Sequence, residues 1–192
     1  MKNETNNHHR RSIRLKGYDY SQPGAYYVTI VTDQRAHRFG EVVNHEMQLS
    51  EVGQIAEACW RAIPEHFPQI ELGAFMVMPN HVHGILIFHE TVGARDVGEH
   101  DDIVGARHGV PLQPIPNLEK FGKPVSGSLA TVIRQYKSAV TRQMVQRYGG
   151  MPIVWQRNYY EHIIRDEHDH QNIYNYILNN PFNWETDDEN LR

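Results

Sequence analysis

Apolar and polar positions along the chain predict β-strands through its first half. The segment AYYVTIVT at 25–32 is rich in β-branched and aromatic residues, as strands are. FGEVVNHEMQLS at 39–50 predicts a second strand, paired with the first. The apolar runs ELGAFMVMP at 71–79 and HVHGILIFH at 81–89 predict two more, and PIVWQRNYYEHIIR at 152–165 predicts a fifth.

Helical spacing of apolar residues appears first after Ser50, which can cap a helix over about 51–66. A longer helix begins after Ser126 or Ser128 and continues through SLATVIRQYKSAVTRQMVQRY. Glycines end it, the first of them Gly149, because glycine readily adopts the conformation that closes a helix.

The last predicted helix begins at Asp166, with Asp169 three residues on as a capping-box-like pair. It should stop at Asn180, because Pro181 disfavours helical geometry in the residue before it. Hairpins mixed with helices favour an α+β class, in which helices pack against an antiparallel sheet.

Two segments depart from these periodic patterns. Residues 1–23 have the composition of a polar arm, and 91–125 contain five Gly and four Pro with no apolar period. A long aperiodic segment inside a compact domain is usually an insertion. The sequence therefore predicts one domain over 1–192 that carries an N-terminal arm and an insertion.

Composition narrows the class of protein. Hydrophobic residues make up 40% of the 192 positions, which excludes global disorder. No apolar run approaches the ~20 residues of a membrane span, and the N-terminal residues lack the apolar stretch of a signal peptide. We therefore expect no membrane association and a cytoplasmic location. The single cysteine, Cys59, excludes an internal disulfide framework and a Cys-rich zinc site.

The net charge of −4 first argues against a nucleic-acid partner, but the charge is unevenly distributed. Segments 1–40 and 126–165 carry +4 and +5, whereas 41–125 and 166–192 carry −7 and −6. Only the basic segments would meet phosphate. Charge alone leaves two interpretations open, solvated faces and a nucleic-acid surface.

The segment PNHVHGIL contains the most informative pair of residues, His81 and His83. Alternation on a strand points both imidazoles to one face, roughly 6–7 Å apart along the backbone, so they can converge on one divalent ion. Gly84 beside them would allow a backbone or a ligand to approach closely. Taken alone, such a pair is a weak signal for a metal site, because structural and surface pairs of histidines are common.

The last helix offers further groups for such a site. Tyr176 and Asn180 are four residues apart and share one helical face. An Asn180 amide oxygen would complete a His-His-amide site, and a metal that polarises a phosphate would make the Tyr176 phenol a plausible nucleophile. The alternative is an amphipathic tyrosine with its hydroxyl at the rim of the core.

MPNHVHGILI, followed downstream by WQRNYYEHIIRDE and YILNNP, resembles the IS200-like single-tyrosine transposases, especially their REP-associated branch. The resemblance runs from about Arg14 to Asn183, with the motifs in family order. It implies an HUH endonuclease, in which two histidines flank a hydrophobic residue, on a ferredoxin-like α+β core. By this resemblance His81, His83 and Asn180 hold Mg²⁺ or Mn²⁺, and Tyr176 attacks DNA.

The resemblance implies cleavage and rejoining of single-stranded or hairpin DNA through a 5′-phosphotyrosine link. Family members include monomers and dimers, so a homodimer is compatible with it. Two alternatives stay open: a domesticated DNA-binding regulator that no longer moves DNA, and a metal-dependent phosphoesterase in which Tyr176 is structural. The expected phosphate-neutralising residues are Arg10, Arg11, Arg14, Lys16, Arg134, Lys137, Arg142, Arg157 and Arg165. Trp155, Tyr159 and Tyr160 are candidates for base stacking or for the core.

Overall fold

The structure is a computed structural model that describes residues 18–90, 125–150 and 154–191. The strands are β1 (Gly24–Val31), β2 (Gly40–Val43), β3 (Glu46–Leu49), β4 (Ile70–Val77), β5 (His81–Phe88) and β6 (Tyr160–Ile164). The helices are α1 (Glu51–Arg61), α2 (Ile63–His66), α3 (Leu129–Tyr148), α4 (Glu167–Asn179) and α5 (Asp188–Leu191), with 3₁₀ turns at Asp33–Arg35 and Trp184–Thr186.

The main sheet has four strands in the order β4-β5-β1-β6, and every neighbouring pair is antiparallel. Helix α1 connects β1 to β4 and helix α3 follows β5 before β6. A sheet in which β5 separates the two strands of one β-α-β unit is the split arrangement of ferredoxin-like folds. The expected α+β, ferredoxin-like fold is confirmed.

Alternating side chains give the sheet two different faces. Tyr26, Val28 and Ile30 of β1 join Val82 and Leu86 of β5 in the larger core, which includes the buried residues of α1 and α3. The opposite face packs against α4 through a smaller cluster around Tyr27, Ile85 and Ile177. His81 and His83 are four and two residues before Ile85 on the same strand, so their side chains lie on the same face as Ile85, the face that packs against α4.

The expected strand at 39–50 is instead a hairpin, and it does not pair with β1. Strands β2 and β3 form their own two-stranded sheet, with Val42 opposite Met47. Asn44 and His45 between them have φ of 52° and 65°, which is the left-handed geometry of a two-residue hairpin turn. The prediction was wrong because Asn-His is a weak turn signal in an otherwise continuous strand-like segment.

The helix expected over 51–66 is broken at Ala62. Ser50 caps its beginning by accepting the Gly53 N–H at 3.1 Å, as expected. Pro64 then stands in the first turn of α2. Proline has no N–H to continue the hydrogen-bond ladder and its ring crowds the preceding turn, so the helix restarts there.

The strand expected over 152–165 is shorter in the described part, 154–165. Only Tyr160–Ile164 pairs along β1, and Trp155 makes an isolated bridge to Thr32. The carbonyls of Gln156 and Asn158 accept hydrogen bonds from the Lys137 ammonium, at 2.9 and 3.1 Å, and not from a neighbouring strand. A side chain from α3 therefore satisfies these two carbonyls, while the Gln156 N–H still donates to the Val31 carbonyl at 2.9 Å.

The ends of the two long helices agree with the sequence. Helix α3 begins after Ser128 and ends at Gly149, whose φ is 70°. Asp166 caps α4 by accepting the Asp169 N–H at 2.8 Å. Within the described ranges, no helix combines the length and the apolar composition that a membrane span requires.

Part of the expected arm belongs to the fold. Tyr20 is buried, and the rings of Tyr18 and Tyr20 pack against Tyr26. Burial of these aromatic rings stabilises the segment that leads into β1. The other arm residues, 1–17, and nearly all of the expected insertion, 91–124, lie outside the described residues.

Candidate active site

Two histidines of β5 lie side by side on the α4 face of the sheet. His81 is opposite Val31 of β1 and His83 is opposite Thr29. Their ring centroids are 4.2 Å apart, and their side chains are 0% and 1% exposed. Strand alternation thus brings both imidazoles to one buried point.

The hydrogen bonds of Asn80 fix which nitrogen of His81 carries the proton. The Asn80 Nδ2 donates to the backbone carbonyl of Glu189 at 2.8 Å, so its Oδ1 is the acceptor on the other side. That Oδ1 is 2.7 Å from His81 Nδ1, which must therefore donate. His81 Nε2 is left with a lone pair, and it is buried with no hydrogen-bond partner among the described residues.

His83 is oriented by hydroxyl groups of β1. Its Nδ1 is 2.9 Å from Thr29 Oγ1 and 2.8 Å from the Tyr27 hydroxyl. Thr29 also donates its hydroxyl hydrogen to Tyr27, so the two hydroxyls and Nδ1 form one hydrogen-bonded group that holds the ring in place. The other ring nitrogen, His83 Nε2, faces the site and is 3.4 Å from the Tyr176 hydroxyl.

Both imidazoles are held neutral. Burial lowers the pKa of His81 to about 4, although the Asp187 carboxylate opposes this shift, and Arg35 lowers it further. Burial also holds the pKa of His83 well below its usual value, with a smaller contribution from His81. A neutral imidazole offers a lone pair, which is what a metal ion requires of a histidine ligand.

Helix α4 presents Tyr176 and Asn180 to the same point. The helix packs on the sheet through Ile173 and Ile177, which places Tyr176 beside His83 and Asn180 beside His81. Tyr176 is 43% exposed, so this side chain lies at the surface of the protein. Asn180, at the C-cap, is buried.

Asp187 is a further residue of the site that the sequence did not reveal. Its Oδ2 accepts from the Asn180 Nδ2 at 2.9 Å and from the Tyr176 hydroxyl at 3.1 Å. Its Oδ1 accepts the backbone N–H of Glu189 at 2.7 Å. No periodic signal marks this residue, which is one of several acids in the tail, and only the turn at 184–186 directs it inward.

The arrangement fits a divalent cation. Ligand atoms of His81, His83 and Asp187 all lie within 4.8 Å of one another. The Asn180 Oδ1 is buried and has no hydrogen-bond partner in the described structure, as is true of His81 Nε2. Two buried, unsatisfied electron-pair donors at one place are costly unless a cation satisfies them.

The expected phosphate-binding residues do not all surround this point. Arg134 and Arg142 are exposed on α3, which packs on the sheet face opposite to α4. Lys137 is half-buried against two carbonyls, and burial lowers its pKa to about 8. Arg157 and Arg165, before and after β6, are exposed. The remaining expected residues, Arg10, Arg11, Arg14 and Lys16, lie outside the described residues.

The candidate stacking residues have different environments. Trp155 packs against Phe39 and Tyr136, and therefore belongs to the core. Tyr159 is half-buried and packs against the same core. Tyr160 is exposed on β6, and it is the one of the three that can meet an unpaired base.

Comparisons with known proteins agree with the motifs. An uncharacterized protein of Haemophilus influenzae is 40% identical over 180 residues, which cover 94% of this chain and 92% of that protein. Another protein of the same organism, provisionally named a REP-associated tyrosine transposase, is 24% identical over 85% of this chain and 73% of its own length. No family model matches the chain.

A solved structure has the same fold. A REP-associated tyrosine transposase bound to a REP hairpin superposes with a TM-score of 0.54 and 16% identity, covering 91% of this chain and 74% of that one. The resemblance to REP-associated tyrosine transposases that the motifs indicated is confirmed by sequence similarity and by fold.

Proposed function

Because the chain belongs to one family with the 40%-identical Haemophilus influenzae protein and has the fold of a REP-associated tyrosine transposase, we propose that it is a metal-dependent transposase-type endonuclease of single-stranded DNA. The observation that carries the proposal is the convergence of the hydroxyl of a surface tyrosine with two buried, neutral histidines and an unpaired amide oxygen. A structural tyrosine would not require such neighbours.

His81, His83 and Asn180 would hold one Mg²⁺ or Mn²⁺ ion. Their donor atoms are His81 Nε2, His83 Nε2 and Asn180 Oδ1, the atoms that the surrounding hydrogen bonds leave available. Bound there, the ion would act as a Lewis acid toward a phosphodiester and offset negative charge on its oxygens.

Tyr176 would supply the nucleophile. Its oxygen forms a bond to the scissile phosphorus as the bond from phosphorus to the 3′ oxygen breaks, and the phenol proton is lost. The departing 3′ oxygen takes up a proton and leaves as a 3′-hydroxyl, and the 5′ phosphate remains on Tyr176. Attack by another 3′-hydroxyl reverses the step and joins strands without ATP, because the covalent link conserves the phosphodiester energy.

The substrate we propose is a DNA hairpin with an unpaired flank. The solved relative is bound to a REP hairpin. In this chain, Tyr160 is exposed on β6 next to Tyr27, whose ring contacts Tyr176. A base stacked on Tyr160 would hold the unpaired strand beside the nucleophile.

A covalent-adduct assay tests the proposal. Full-length protein is incubated with Mg²⁺ or Mn²⁺ and with hairpin DNA labelled at either end, and SDS-stable protein–DNA adducts are counted. Wild type should give an adduct on the fragment that carries the new 5′ phosphate, and Tyr176→Phe should give none, because the attacking oxygen is missing. Tyr174→Phe is the matched control, since Tyr174 is also exposed on α4 and should be dispensable.

Three outcomes would contradict the proposal in different ways. An adduct that persists in Tyr176→Phe excludes Tyr176 as the nucleophile. A free 5′ phosphate without any adduct in wild type indicates a phosphoesterase. DNA binding without cleavage at any metal concentration indicates a regulator.

A further inference from the structure

We propose that the turn 187–189 is a positioning element of the metal site, and that Asp187 acts on the metal through Asn180. The inference rests on the proposed function, because it takes His81 and Asn180 as ligands. It adds residues that lie beyond the motifs, in the acidic tail.

Asp187 determines which end of the Asn180 amide faces the site. A carboxylate accepts hydrogen bonds and does not donate them, so the Asn180 group 2.9 Å from Asp187 Oδ2 is the NH₂ group. The carbonyl oxygen of the amide must then point the opposite way, where it is buried and without a hydrogen-bond partner in the described residues. Without Asp187 the amide is free to rotate by half a turn and present its NH₂ group, which cannot bind a cation.

The same turn determines the tautomer of His81. The Glu189 carbonyl accepts from Asn80 Nδ2, which makes Asn80 Oδ1 an acceptor for the His81 Nδ1–H. A metal-binding histidine generally depends on such a partner at its other nitrogen. One short segment thus orients two proposed metal ligands, His81 on β5 and Asn180 at the end of α4.

The position of the turn is itself fixed by the fold. Arg35, after β1, forms an ion pair with Glu189, and Asp187 Oδ1 accepts the Glu189 N–H. Both oxygens of Asp187 therefore already accept hydrogen bonds, from Glu189 on one side and from Asn180 and Tyr176 on the other. This arrangement favours a positioning carboxylate over a direct ligand.

Manganese affinity of the full-length protein without DNA measures this role directly. Mn²⁺ binding is followed by the EPR signal of the free ion. Asp187→Asn should weaken binding by about tenfold or more, the usual effect of losing an outer partner of a metal ligand. Glu185→Gln is the matched control, because it removes one exposed carboxylate from the adjoining turn and should leave affinity unchanged.

A double-mutant cycle separates positioning from direct ligation. If Asp187 acts through Asn180, Asp187→Asn should change Mn²⁺ affinity by less than about twofold in an Asn180→Ala background. If the losses of Mn²⁺ binding free energy from the two substitutions add, the proposal is overturned and Asp187 is a direct ligand. Wild-type affinity in Asp187→Ala, which leaves no side-chain acceptor for the Asn180 amide, would overturn it outright.

A measurement on the wild-type protein keeps the inference testable if a variant does not fold. Long-range ¹H–¹⁵N spectra should show metal-free His81 as the Nδ1–H tautomer, and the Nε2–H tautomer would contradict the role of Glu189 and Asn80. Neither readout needs catalysis. If no covalent adduct forms but the Asp187 and Asn180 substitutions are still coupled in their effect on Mn²⁺ affinity, the proposed nuclease activity is rejected and the positioning role remains.

Discussion

At the scale of single residues, the site depends on how each polar atom is satisfied. His81 and His83 each use Nδ1 for a protein partner and keep Nε2 for the site, and Asn180 uses its NH₂ group for Asp187 and keeps its oxygen. The two Nε2 atoms and the amide oxygen therefore face one place before any ion binds. This is the preorganisation that a metal centre needs, because ligands that must reorient on binding lose affinity.

The buried histidines predict a pH dependence of stability in the metal-free protein. The unfolded chain protonates histidine near pH 6.5, whereas folded His81 resists protonation down to about pH 4. Between these values the unfolded state binds more protons, so the free energy of unfolding should fall as pH is lowered, by up to about 1.4 kcal/mol per pH unit for each such imidazole. Urea unfolding in EDTA from pH 7.5 to 4.5 measures the slope.

His81→Gln should flatten this slope, because it removes a titrating group. His66→Gln is the control, because it makes the same substitution at an exposed position at the end of α2. An equal slope in wild type and His81→Gln would show that His81 is already protonated in the folded protein at pH 5.

At the scale of the elements, β5 is positioned by a close contact on the face away from the site. Gly84 lies against the ring of Trp60 from α1, and a Cβ added there would come 2.8 Å from Cη2 and closer still to Cζ2. The close approach that the sequence predicted at Gly84 is thus made by a side chain of the core. The strand that bears His81 and His83 can lie flat on α1 only with glycine at this position.

Gly84→Ala should lower the free energy of unfolding by about 1–3 kcal/mol, as overpacking does in a rigid core. It should also weaken Mn²⁺ binding, because β5 must move away from α1. Chemical denaturation and Mn²⁺ titration measure the two effects.

Trp60→Phe provides the test of the cause, since phenylalanine lacks the ring atoms that the new methyl would meet. The loss of unfolding free energy in the Gly84→Ala/Trp60→Phe double variant should be smaller than the sum of the losses in the two single variants. Strict additivity would show that the cost of Gly84→Ala arises elsewhere.

At the scale of the whole molecule, the sheet separates the exposed cations of α3 from Tyr176, the proposed nucleophile, on α4. The net charge of −4 did not exclude DNA, because basic positions are grouped in the sequence. The fold adds that Arg134 and Arg142 cannot contact the same phosphate as Tyr176. DNA held by both surfaces would have to pass around an edge of the sheet.

Arg134→Ala/Arg142→Ala should therefore weaken DNA binding without slowing single-turnover cleavage at saturating DNA. The slope of log affinity against log salt should fall by about 1.4 if each arginine meets one phosphate of a single strand. Gln135→Ala, a neutral exposed position of α3, is the control. A slower saturated cleavage rate in the arginine variant would contradict this separation of binding from chemistry.

The sequence by itself determined the features that depend on neighbours within one turn or one strand. Alternation placed His81 and His83 on one face, and the four-residue spacing placed Tyr176 and Asn180 on one flank. These relations follow from periods of 2 and 3.6 residues, which any strand or helix must obey. The antiparallel ferredoxin-like sheet followed from the order of the elements and from the family resemblance.

Only the tertiary structure decided which distant groups complete the site. Asn80 meets the Glu189 carbonyl across 109 positions, and Tyr176 lies 93 positions from His83. No periodic pattern in the sequence marks Asp187. The orientation of its side chain is set by the preceding 3₁₀ turn and by its hydrogen bonds to Asn180 and Glu189. Local patterns carry no information on such contacts, since hydrogen bonds between distant residues form only where the packed sheet and α4 bring them within about 3 Å.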